Sequence, residues 1–215
     1  MKDAKVIELK QIGVKHACIY IEGDGDLVLN QMNARNTRTL VEKQSGVKTV
    51  SQNPNIWEDM ITAIRWYDDT GMKDTYKEST EEKMHELLTT NRPCISAFGL
   101  KKSFGQAVVR NEIDTYATKF DNAVNIVANK GLVPISFATW DYDMRLMAPK
   151  KGSPVLVYLN HFSGWQAHFD IAYTDNVYTI DQIVNIINLA GFGLGIGSGR
   201  TSGYGRYHVT NMEVW

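Results

Sequence analysis

The sequence is poor in the features that mark special classes of protein. It holds 2 cysteines and 5 prolines in 215 residues. Cys18 and Cys94 form no C-x-x-C pair, which excludes a disulfide framework and a zinc ribbon. Both are expected as small buried apolar side chains. No apolar run reaches the roughly 18 residues that a membrane helix requires. The start, MKDAKVIELKQIG, lacks the apolar core of a secretory signal. A cytoplasmic chain without membrane contact is expected. An excess of one charge is missing too. Lys and Arg number 23 against 24 Asp and Glu, for a net charge of -1. That balance excludes gripping duplex DNA by bulk charge and leaves local basic patches open.

Apolar residues make up 43% and charged residues 22%, which excludes collagen-like and wholly disordered chains. The length suits a single domain, residues 1–215, with an elaborate insertion. Val14 to Glu22 reads as a strand with two largely apolar faces, ended by Gly23-Asp24-Gly25-Asp26. Ala34 to Lys43 is a polar helix candidate. Residues 44–92 change character and read as an insertion or lobe. Within them Ser45, Gly46, Ser51, Asn53 and Pro54 mark a loop. Asn55 to Trp66 reads as an amphipathic helix with Ile56, Met60 and Ile64 on one stripe. Lys73 to Thr89 is a charged, solvated helix.

Pro93 to Arg110 reads as a loop entering a helix, with Leu100, Phe104, Ala107 and Val108 at helical spacing. Leu132 to Phe137 is a short strand candidate, Asp141-Tyr142-Asp143 an acidic turn, and 148–154 a clear turn. Val155 to Leu159 reads as an apolar strand. Trp165, Ala167, Phe169, Ile171 and Tyr173 then alternate with polar positions, the pattern of a half-buried strand. The two runs about Ser163-Gly164 suggest a hairpin. Thr179 and Gln182 form a capping box for a helix closed by Gly191. Tyr207 to Val214 is a final strand.

Glycine is concentrated: seven of 17 fall within GFGLGIGSGRTSGYG, Gly191 to Gly205. The G-x-G-x-x-G spacing of a dinucleotide loop is absent, since the sixth position from Gly195 is Arg200 and from Gly197 is Ser202. The segment also follows a helix and enters a strand, the reverse of a phosphate-binding strand–loop–helix. Two readings stay open. The glycines let the chain turn tightly and pack over a sheet, or they form a loop whose amides and arginines receive an anionic backbone.

Helix, then Gly197-Ser198-Gly199-Arg200-Thr201-Ser202-Gly203-Tyr204-Gly205-Arg206, then a terminal strand resembles the glycine-rich loop of the RAMP superfamily. These are the repeat-associated RNA-binding proteins that build CRISPR effector backbones. Trp165 to Val209 is also similar to RAMP-like proteins of bacteriophage genomes, through Trp165, Ala190-Gly191, Gly195 to Gly197, Arg200 and Gly205-Arg206-Tyr207. The resemblance implies an α+β, ferredoxin-like βαββαβ core. Its strands would be 14–22, about 132–137 or 155–159, 165–173 and 205–214, with helices at about 99–110 and 180–190.

It further implies a non-enzymatic, phage- or prophage-encoded protein that binds single-stranded RNA or DNA and self-assembles, with no cofactor and no metal. Gly197, Gly199, Gly203 and Gly205 would shape the loop and offer amides. Arg200 and Arg206 would meet phosphates, supported by Lys101 and Lys102. Tyr20, with His168 or with the Trp165/Phe169/Tyr173 stripe, could stack bases, unless that stripe is core. The alternative is a protein-interaction module, binding itself or a host defence component. From Lys151 onward three basic residues face four acidic ones, which favours that alternative. A third reading is an RNA endonuclease using Asp24 and Asp26, or His16 and His208 on neighbouring strands. His85, His161 and Trp140 carry no specific signal.

Overall fold

The computed structural model describes residues 13–46, 55–68, 79–147 and 154–215. In chain order the strands are β1 (Val14–Gly23), β2 (Leu27–Leu29), β3 (Arg65–Trp66), β4 (Pro93–Ser96), β5 (Val124–Val127), β6 (Leu132–Ser136), β7 (Thr139–Met147), β8 (Val155–Ser163), β9 (Gln166–Thr174) and β10 (Tyr207–Val214). The helices are α1 (Ala34–Ser45), α2 (Ile56–Thr62), α3 (Glu81–Thr90), α4 (Ala97–Arg110), α5 (Thr118–Ala123) and α6 (Ile180–Gly193). No helix among the described residues is long and apolar enough to cross a membrane. The loop expected at 51–54, the first third of the helix expected from Lys73, and nearly all of the turn expected at 148–154 lie outside the described residues.

The main sheet runs β10-β1-β9-β6-β4-β3, with β5 also paired to β9. β1 is antiparallel to both β9 and β10, and β9 is antiparallel to β5 and β6. With α4 following β1 in the core and α6 joining β9 to β10, this is the βαββαβ ferredoxin-like arrangement, an α+β fold. Alternation along β9 buries Ala167, Phe169, Ile171 and Tyr173 under the helices, where Phe169 stacks on Phe104 at 6.1 Å. The Trp165/Phe169/Tyr173 stripe is therefore core. Tyr20 and His168 lie on the opposite face, their rings stacked at 5.6 Å.

The capping box of α6 is formed: Thr179 Oγ1 accepts from Gln182 N, and Gln182 Oε1 accepts from Thr179 N. Asn188 of α6 accepts from Val209 N at 2.7 Å and ties the helix to β10. Both cysteines are free and buried, as their scarcity suggested.

Three local expectations are corrected. β8 does not pair with β9. It joins β2 and β7 in a separate three-stranded sheet, because Gly164 at φ 61° and the buried Trp165 swing the chain from one sheet to the other. The second core strand is thus 132–136 rather than 155–159. Asp141 to Asp143 is not a turn but the middle of β7, paired with His161 to Leu159. The helix expected through Trp66 stops at Thr62. Gln31 N takes the Ala63 carbonyl, and Gln31 Nε2 takes those of Thr62 and Ile64, so the last carbonyls are satisfied from outside the helix. Trp66 is then free to enter β3, opposite Pro93.

Candidate nucleic-acid interface

The glycine loop is a folded object held by β2. Ser198 N donates to Val28 O at 2.8 Å, Gly205 N to Asp26 O at 2.8 Å, and Ile196 N to Gly205 O at 2.9 Å, while Ser198 Oγ reaches Asn30 O at 3.1 Å. Two glycines are required by contact. A Cβ on Gly197 would sit 2.5 Å from Val28 O, and one on Gly205 would sit 1.8 Å from Ile196 O; both residues have positive φ, 80° and 69°. Gly203 N donates to Arg200 O and closes a short 3-10 turn. The amides of Gly203 and Gly205 are thus spent inside the loop and are not offered to a ligand. Gly199, at φ 68°, opens that turn.

One face of the loop closes a groove of about 310 Å³. Its walls are α4, the β4 strand, the end of β2 with the two residues after it (28–31), and Ile196 to Ser198 with Arg200. Three cations line it, Arg65, Lys102 and Arg200, together with Gln31, Ser96, Gln106 and Ser198, and among the described residues no carboxylate does. All three cations are exposed, and none forms an ion pair among the described residues. Cys94 lies in the floor, where burial pushes its thiol up to about 12, so it is a neutral group and not a nucleophile.

The expected site residues therefore divide. Gly197, Lys102 and Arg200 meet at the groove. Lys101 does not line it; its Nζ donates to Asn125 Oδ1 at 2.6 Å. Arg206 points back into the loop, donating to Phe192 O at 2.8 Å and to Arg200 O at 3.4 Å, where it caps the end of α6. Arg65 was not expected. It follows the helix in sequence, and only the pairing of β3 with β4 delivers it to the groove.

The other candidates assemble differently. His16 pairs with Ala172 and His208 with Glu22, which puts them at opposite ends of β1, roughly 20 Å apart at the rise of a strand. His208 Nδ1 instead meets Asp24 Oδ1 at 2.6 Å. Asp26 accepts from Ser163 Oγ at 2.6 Å and lies 3.5 Å from Nδ1 of His161, a ring only 12% exposed. Both aspartates thus pin the β1–β2 turn to the two sheets. Among the described residues no cluster of His, Cys, Asp or Glu is suited to a metal. Trp140 lies in β7, its Nε1 donating to Asn160 Oδ1 at 3.2 Å.

No protein-family model and no curated protein matches the sequence. Among solved structures, the chain is similar to one in the cryo-EM structure of the type III-B Cmr-beta bound to cognate target RNA. The TM-score is 0.49 and the identity 15%, over 94% of this chain and 60% of that one. It is also similar to Cmr6 from Pyrococcus furiosus, with a TM-score of 0.33 and 12% identity over 93% of this chain and 100% of that one. The chain thus spans 60% of the length of the first of these. The fold itself is ferredoxin-like, with the glycine-rich loop lying between the second core helix, α6, and the last strand, β10.

Proposed function

We propose that the protein binds single-stranded nucleic acid, RNA or DNA, non-enzymatically, with the phosphates seated in the groove beside the glycine loop. One observation carries this reading: Arg65, Lys102 and Arg200 converge on a concave surface without a carboxylate, in a chain whose net charge is -1. Three cations lining one groove have a mutual repulsion that an anionic strand would relieve. Arg200 and Arg65 offer forked donors that match phosphate oxygens, and Lys102 adds a point charge. The loop glycines act by shape, letting Gly197 lie against β2 so that Arg200 stands at the rim. The resemblance of residues 165–209 to phage proteins extends the proposal to a phage or prophage setting.

The test is fluorescence polarisation with labelled single-stranded RNA and DNA at low salt, for the wild type and for Lys102→Ala/Arg200→Ala. The wild type binds and the double variant loses most of the affinity. No binding by the wild type, or equal binding by both proteins, overturns the reading.

A protein-interaction role has its own support. Tyr142, Met144, Leu146 and Leu156 share one face of the β7–β8 arm by register and are exposed, Leu146 to 68%. Self-assembly through that face predicts a mass that rises with concentration in light scattering. A monomer at every concentration excludes it.

A further inference from the structure

We infer that a second cavity, which shares Asn30 and Gln31 with the groove, is a subsite for one unstacked nucleobase of the strand. The inference rests on the groove reading above. This cavity, about 260 Å³, lies between residues 30–36 and β8. Asn30 and Gln31 line both it and the groove, so the two adjoin along this segment.

The chemistry of its walls differs from that of the groove. Its cation, Arg35, is already committed to Asp59 by a two-pronged contact through Nε and Nη2. The cavity therefore offers no free positive charge for a phosphate. It offers amides instead. Asn30 and Asn36 enter the hydrogen-bond network through backbone atoms, Asn30 O accepting from Ser198 and Asn36 N donating to Asn33. Their side-chain donors and acceptors are unengaged among the described residues. An amide presents a donor and an acceptor side by side, as the edge of a base does, and pairs with it through two bonds. The same lining holds Tyr158, half-buried, whose ring pairs with no other ring among the described residues, together with the apolar Leu156 and Met32. A planar, uncharged heteroaromatic group with a polar edge fits a lining of an aromatic ring and free amides, and a single strand carries such groups beside its phosphates.

The experiment uses labelled single strands of about a dozen nucleotides. These are the four homopolymers and an abasic ribose-phosphate strand of the same length. They are titrated with wild type, Asn36→Ala and Tyr158→Ala, and unfolding midpoints check the fold. Asn36 is exposed, so its variant keeps the fold even if Tyr158→Ala does not. The wild type prefers at least one homopolymer over the abasic strand. Tyr158→Ala weakens that homopolymer roughly five- to hundredfold, the loss of one base–aromatic stack. Asn36→Ala narrows the difference between homopolymers, and both variants bind the abasic strand as the wild type does. If the wild type binds abasic and base-bearing strands equally, or Asn36→Ala leaves every preference intact, the subsite is wrong and the groove stands. If the wild type binds no strand at all, both fail.

Discussion

Replacing Arg65, Lys102 and Arg200 with alanine tests the groove through salt rather than through affinity alone. Each phosphate neutralised on a single strand contributes about 0.7 to the slope of log affinity against log salt. Three cations meeting three phosphates give a slope of about -2.1, so raising salt from about 50 to about 200 mM weakens binding about 20-fold. Arg65→Ala alone removes about a third of that slope. It does so without touching the core, because Arg65 is exposed while its neighbour Trp66 is buried; its stability should stay within about 0.5 kcal/mol of wild type. Lys101→Ala is the matched control, since Lys101 Nζ is engaged with Asn125 away from the groove. Polarisation titrations at four salt concentrations read the slopes directly. A triple variant with the wild-type slope, or a Lys101→Ala slope as shallow as that of Arg65→Ala, refutes the placement of the phosphates.

Asn160 is 0% exposed and links Trp140 Nε1, Leu29 O and Met60 O, joining β7, β2 and α2 through β8. Asn160→Leu leaves those groups unpaired and should cost about 3 kcal/mol, seen as a urea midpoint lower by about 1 M; an unchanged midpoint refutes the role. Gly205→Ala places a methyl 1.8 Å from Ile196 O, whereas Gly203→Ala, at φ 90°, meets open space. The second should cost about 1 kcal/mol of backbone strain and the first clearly more, and equal melting temperatures would contradict the geometry. Tyr20→Ala removes the half-buried ring stacked on His168 and should leave strand binding unchanged, so a loss of affinity in polarisation would move the interface to the sheet face.

The core was legible because its residues obey local rules. Alternation from Ala167 to Tyr173 and the Thr179–Gln182 capping box each fix an element without outside help. The errors lie where a distant residue decides. Nothing near Thr62 announces the end of α2, since Gln31, about 30 positions earlier, takes its last carbonyls. β8 looks like a partner for β9, yet Asn160 and Phe162 are buried in the second sheet's packing, and that burial outweighs a short hairpin. The site was half legible for the same reason. Arg200 sits in a motif that resembles a family and Lys102 in a helix readable from its spacing, whereas Arg65 reaches the groove through long-range strand pairing. Arg206 and the amides of Gly203 and Gly205 looked available in sequence because spacing does not show which groups a loop spends on itself.

Near-neutral charge, which counted against nucleic acid in the sequence, has a spatial resolution. The strand register sets Glu22 on β1, Asp170 on β9 and Glu213 on β10 on the open face of the main sheet, around the Tyr20–His168 stack. Tyr20 OH donates to Glu213 at 3.3 Å, and Arg92, at the rim, lies 4.3 Å from the centre of the Tyr67 ring. That face carries aromatic rings, but they are occupied with each other and bordered by carboxylates that repel phosphate. The groove carries cations and no carboxylate. On the proposed reading, the separation of the two surfaces would direct a polyanion away from the sheet and toward the groove, at a range set by the Debye length, about 8 Å at physiological salt. A total of -1 is therefore compatible with strand binding, provided that the contact is confined to the side of the molecule that carries the glycine loop.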